Sequence, residues 1–224
     1  MSGYERLKAT IITTIVRDIP KQFWVDLRAM ARQAYADAYY QVKNDPNLID
    51  EQRIDLLRQY RHFRMESLLS TLADRHGVKK SHTLLSDNSQ HYVYVVSNEI
   101  GMTQSYVPAI GDLPKPARYW ERLAEANEVP RLDLGDEPPE VLLGKSYYGL
   151  IAHNPVGKRF GDEEQKLGMV QFCVPTKDGK AWGMELAIEE LTAAYPDDKP
   201  AEAPQRGPLW KDRGKDDKKQ GGAG

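Results

Sequence analysis

The sequence predicts an α+β fold, with an N-terminal helical subdomain of about three helices packed on a mixed or antiparallel sheet and a disordered C-terminal tail. Three observations predict it. Apolar residues recur at three- and four-residue spacing through residues 4–72, strand-like runs rich in Val, Ile, Tyr and Phe follow Gly77, and Pro, Lys, Asp and Gly dominate beyond Pro196. Residues 1–196 form one domain in this reading, with a helical part at 1–80 and a sheet part at 81–196, and 197–224 is the tail.

The first helix is read from Tyr4, Leu7, Ile11, Ile12, Ile15, Val16 and Ile19, which build one stripe despite their β-branched content; a strand over 10–16 is the alternative. Pro20 closes it and suits the first turn of the next element. The second helix shows an apolar and aromatic face from Phe23 and Trp24 through Tyr35 and Tyr39 to Val42, and Asn44-Asp45-Pro46-Asn47 stops it. Asp50 is the expected N-cap of a third helix whose stripe runs through Ile54, Leu57, Tyr60, Phe63, Leu68, Leu69 and Leu72, with Gly77 just past its end. Two such helices joined by a short turn pack antiparallel.

Strands follow. His82–Leu85 is a short one, Ser86–Ser89 a turn, and His91–Val96 the strongest by β-branched and aromatic content, with 102–107 pairing to it across Asn98–Gly101. A fourth helix is expected over 117–127, and the acidic, proline-containing stretch 128–140 is an exposed connector. The central sheet then spans 145–188, where Thr176-Lys177-Asp178-Gly179-Lys180 supplies the positive φ of a tight hairpin, and a closing helix covers 189–195.

Composition narrows the function classes only a little. A formal charge of −2 argues against holding nucleic acid through bulk charge, but the charge is lopsided: residues 1–80 carry 14 Lys and Arg against 10 Asp and Glu, and residues 112–140 carry 4 against 8. The single cysteine, Cys173, permits no internal disulfide and reads as a small buried hydrophobe in a strand. Neither a signal peptide nor a membrane-spanning run is expected, which points to a cytoplasmic protein without a membrane partner.

Two sets of side chains carry candidate chemistry. Arg53, Arg58, Arg61 and Arg64 on the third helix, followed by Lys79 and Lys80, form a basic face for phosphates or for a protein partner. Its bland counterpart is a solvated face, or one that pairs with the acidic connector. The polar loop after the first central strand holds His153, Asp162, Glu163 and Lys166, the alternative placement for a metal-dependent nuclease or other hydrolase. Its spacing matches no HExxH motif, and the nearest pairs, Asp162 with Lys166 and Gln171 with Lys177, lack the spacing of a restriction-type nuclease. No Walker loop, dinucleotide fingerprint or Gly-x-Ser-x-Gly elbow is present.

The residues therefore favour a non-enzymatic interaction or regulatory protein, acting on a protein partner or on nucleic acid through the basic helix and needing no cofactor. Beside it stand the hydrolase around 153–166 and a small-ligand sensor with its pocket between sheet and helices. The oligomeric state is left open by the sequence.

Overall fold

The computed structural model describes residues 3–84, 91–127 and 146–196. Three helices come first, α1 (Gly3–Asp18), α2 (Lys21–Lys43) and α3 (Asp50–Arg75), and six strands follow: β1 (Lys79–Leu84), β2 (His91–Ser97), β3 (Ile100–Tyr106), β4 (Tyr147–Pro155), β5 (Leu167–Pro175) and β6 (Trp182–Ala187). Short helices α4 (Arg118–Ala124) and α5 (Ile188–Ala193) lie between β3 and β4 and after β6. The class is α+β, as the spacing of apolar residues predicted. The expected turn at Ser86–Ser89, the acidic connector and the tail lie outside the described residues.

Leu7, Ile11 and Ile15 of α1, with Ile19 just past its end, are buried in one row. The β-branched residues that weaken this helix on paper include three threonines whose hydroxyls donate to carbonyls one turn back, Thr10 to Arg6, Thr13 to Ala9 and Thr14 to Thr10. Pro20 separates α1 from α2 in extended geometry (φ −63°, ψ 143°), as a residue with no N–H can do without loss. At α3 the helical residues begin at Asp50, and Ile49 takes the cap position; Asp50 instead pairs with Arg53 one turn on, at 2.9 Å.

The six strands lie side by side in chain order. Every neighbouring pair is antiparallel except β3 and β4, which are parallel with Ile100 opposite Tyr147 and Tyr106 opposite His153. Parallel pairing needs a long crossover, and the segment between β3 and β4 supplies it. The expected hairpins are present: Asn98, at φ +45°, turns β2 into β3, and Gly179, at φ +64°, turns β5 into β6.

Both sheet faces are covered, so β4 is buried along nearly its whole length. On one face Ile151, Phe172, Val174 and Leu186 pack on α1, α2, α3 and α5; on the other Leu150, Cys173 and Trp182 pack on Trp120 and Ala124 of α4. Cys173 is buried as expected, and burial pushes its thiol far above the ordinary range. The fourth helix is shorter than its sequence suggested. Asn127 lies beyond it, and its amide spans two strands, donating to the Tyr148 and Pro175 carbonyls (2.8 and 2.9 Å) and accepting from the Tyr148 N–H (2.8 Å).

The last described element closes on the first two. Tyr195 donates its hydroxyl proton to the Ile19 carbonyl (2.6 Å) and accepts from the Trp24 indole N–H (2.9 Å). All of these groups are buried. Tyr195→Phe strands both a donor and an acceptor, so it lowers unfolding stability by about 1–3 kcal/mol, read as a lower urea midpoint at unchanged slope.

Candidate functional site

Strands β3 and β4 run in the same direction, and the chain leaves their C-terminal ends toward opposite sides. After β3 it passes to α4, and after β4 it folds back under α3 as loop 156–166. A crevice opens where two parallel strands diverge in this way. Here it is a cavity of about 470 Å³ between α3, the strand ends and the two departing loops.

Its floor is polar and buried. Arg61, Gln104, His153 and Gln165 all line it and are 5%, 0%, 1% and 2% exposed. Arg61 reaches this position because it stands one turn from Leu57 and one turn from Met65, on the buried stripe of α3. Its guanidinium lies over the Tyr35 ring, 4.5 Å from the centroid, and donates from Nη2 to the Gln165 carbonyl (2.8 Å) and to Gln165 Oε1 (2.6 Å). No carboxylate faces it among the described residues, and Nε is buried without a partner there. Burial accordingly lowers the pKa of Arg61.

Loop 156–166 is held to both helices. Gln165 takes the Arg61 protons on its oxygens and donates its amide to the Arg159 carbonyl, closing the loop on itself. Farther along, Phe160 packs against the Tyr39 ring at 5.0 Å, and Asp162 accepts from the Tyr39 hydroxyl (2.6 Å) and Lys43 (2.7 Å) at the end of α2. The lysine and the hydroxyl hold the Asp162 carboxyl below its usual range.

Within the floor, Gln104 ties three other side chains together. Its Oε1 meets His153 Nε2 at 2.8 Å, and its Nε2 meets His62 Nδ1 at 3.0 Å and Glu66 Oε1 at 2.5 Å. An amide oxygen can only accept, so His153 carries its proton on Nε2, and its Nδ1 accepts the Tyr35 hydroxyl proton at 2.6 Å. His62 Nδ1 is likewise an acceptor, which leaves its proton on Nε2. Burial drives His153 down to about 3, with His62 and Arg61 adding to the effect, and it also lowers His62. Burial lifts Glu66 to about 7, against the opposing bonds from Gln104 and the Val93 N–H.

At the mouth stand Arg58, Lys115 and Lys158, all exposed, with Tyr106 and Pro108 beside them. Arg58 meets Asp55 at 3.2 Å, but that pair is solvated and weak. Among the described residues no Asp or Glu lines the cavity, and Lys115 and Lys158 form no ion pair.

The side chains singled out from the sequence separate into distinct places. Of the basic set, Arg58 and Arg61 share the cavity. Arg53 pairs with Asp50, Arg64 donates to Gln41 of α2 at 3.2 Å, and Lys79 and Lys80 lie on β1, where Lys80 meets Asp74 at 2.5 Å. Of the alternative set, His153 is buried in the floor, Asp162 serves the contact with α2, and Glu163 pairs with Lys166 at 2.7 Å on the surface. Among the described residues no group of three or more His, Cys, Asp or Glu converges as metal ligands. Tyr35, Glu66, Gln104, Lys115 and Gln165 were not among the sequence candidates, and His62, read as a residue on the helix surface, is instead partly buried at the cavity; of the missed groups only Glu66, a carboxyl on the buried side of α3, left a signal. No protein-family model, curated protein or solved structure matches the chain.

The buried titrating groups act on stability in opposite senses. Glu66, raised from an ordinary 4.5 to about 7, stabilises the fold at low pH and loses that contribution as pH rises to 7. His153, lowered from 6.5 to about 3, contributes above 6.5 and loses it as pH falls toward 3. Between pH 5.5 and 8.5 the two largely offset one another. Glu66→Gln removes the first at the fixed cost of a hydrogen bond, so unfolding free energy then rises with pH across that window, on the order of 1 kcal/mol, with the lowered His62 acting in the same sense as His153, as urea titrations at both pH values will show.

Proposed function

We propose that this chain is a non-enzymatic, small-ligand binding protein of the sensor type that takes an anion into the cavity between α3 and the ends of β3 and β4. The observation that carries the reading is Arg61, a buried guanidinium that has, among the described residues, an unpartnered Nε and no facing carboxylate, on the floor of a cavity that none of their acidic side chains lines. A buried cation without a counter-charge is costly, and a bound phosphate or carboxylate offsets that cost through charge-assisted hydrogen bonds. Arg58, Lys115 and Lys158 at the mouth add an attractive field for an incoming anion.

Binding is favoured over hydrolysis by how the floor is wired. His62 Nδ1 is occupied by Gln104, and His153 is bonded at both ring nitrogens, so neither offers a free lone pair to a substrate proton. Asp162, Glu163 and Lys166, the alternative catalytic set, find their partners outside the cavity. The basic helix of the sequence-based reading keeps a role, since α3 supplies both arginines of the cavity. Its cations point in several directions, which suits an enclosed ligand better than the continuous track a polynucleotide requires.

The test is ligand-dependent stability. Millimolar inorganic phosphate and glycerol 3-phosphate raise the melting temperature of the full chain at ~50 mM salt, and the rise shrinks at ~200 mM. A phosphate in hundredfold excess over its dissociation constant stabilises by about 2.7 kcal/mol. The double charge reversal Arg58→Glu, Lys158→Glu keeps the fold, because both side chains are exposed, and abolishes the shift. A melting temperature indifferent to phosphates and to carboxylates such as citrate at both salt levels overturns the assignment.

A further inference from the structure

We infer that the ligand is a mononucleotide, a phosphate monoester joined to a planar aromatic ring, with its phosphate on Arg61 and its ring against Tyr106. This rests on the anion-binding reading above and names the class of anion.

Size comes first. A cavity of about 470 Å³ holds the volume of about fifteen waters, far more than a bare oxyanion fills, and it lies within the range of sites for whole small molecules. The ligand has a substantial non-ionic part.

The distribution of free donors places the ionic end. Gln104 and Gln165 line the floor, but both amides are spent: Gln104 on His153, His62 and Glu66, Gln165 on Arg61 and the Arg159 carbonyl. They position other groups and offer the ligand little. The donors left among the described residues are the Nε2 proton of His62 and the cations of Arg58, Lys115 and Lys158, with the Arg61 guanidinium, its Nε unpartnered, supplying a further positive charge from the floor. Such a set of donors matches a doubly charged phosphate monoester better than a single carboxylate.

The walls place the other end. Ile54 on α3, Pro108 after β3 and Pro155 at the end of β4 line the same cavity, and Tyr106 presents its ring there while 39% exposed. An exposed tyrosine next to aliphatic and proline walls, above a cationic floor, is a platform for stacking a flat ring whose tail is anionic. A sugar phosphate would leave these apolar surfaces in contact with polar hydroxyls, and an inorganic phosphate would leave them wet. Stacking tolerates any base, so the walls select the presence of a ring more strongly than its identity.

Isothermal titration of the full chain at ~50 mM salt with adenosine 5′-monophosphate, ribose 5-phosphate and inorganic phosphate tests the assignment. The nucleotide binds at least tenfold tighter than ribose 5-phosphate. Tyr106→Ala brings it down to the ribose 5-phosphate level while leaving ribose 5-phosphate itself unchanged, and Tyr106→Phe keeps the preference. If ribose 5-phosphate binds the wild type as tightly as the nucleotide, or if the Tyr106→Ala chain binds ribose 5-phosphate normally and retains the nucleotide preference, the ring assignment falls and the anion site stands. If none of the three binds and citrate also fails, both readings fall together.

Discussion

A buried guanidinium that no carboxylate faces among the described residues is the constraint around which this half of the molecule is arranged. Arg61 cannot shed its charge, so its surroundings must supply partners that carry none. Tyr35 gives it a ring face and Gln165 two oxygens. Those two requirements fix the approach of α2 to α3 and draw loop 156–166 under the helix, where Phe160 and Asp162 then find Tyr39 and Lys43. Remove the guanidinium and the loop loses its inner attachment, keeping only the outer one.

Gln104 performs the complementary task one layer deeper. An amide has one end that accepts and one that donates, so it polarises every group it touches: it dictates the tautomer of His153, takes the lone pair of His62 and leans on Glu66. A carboxyl with a pKa near neutrality, wired through one amide to a cavity-lining histidine, makes the protonation of the core and the electrostatics of the cavity floor interdependent. Chains of this kind are stiff when all members are satisfied, which suits a site that receives its ligand in a preformed state.

Much of the fold was legible because it depends on local periodicity. The row Leu7, Ile11, Ile15, Ile19, the Asn98 and Gly179 turns and the apolar run of β4 can each be read from neighbours in sequence. The site was legible only in part. Arg58, Arg61 and Arg64 form one basic cluster on paper, but the 3.6-residue repeat puts position 61 in line with Leu57 and Met65 and sends position 64 toward Gln41. Phe63, assigned to the apolar stripe, is 57% exposed for the same reason. His153 seemed to belong with Asp162 and Glu163 because they share a loop in sequence; β4 continues to Pro155, so the histidine stays in the sheet while the others leave it. Gln104 could not be found at all, since a glutamine in a strand acquires its meaning from partners 38 to 49 residues away.

The Tyr195 hydroxyl sits between Ile19 and Trp24, the latter 171 residues earlier in the chain. During synthesis at about 5–20 residues per second, α1 and α2 therefore wait roughly ten to thirty seconds for the residue that closes their layer. Until then their apolar stripe has the sheet strands only as they emerge in turn. The layer formed by α1 and α2 is thus completed only once residue 195 has left the ribosome, long after its own residues have been made.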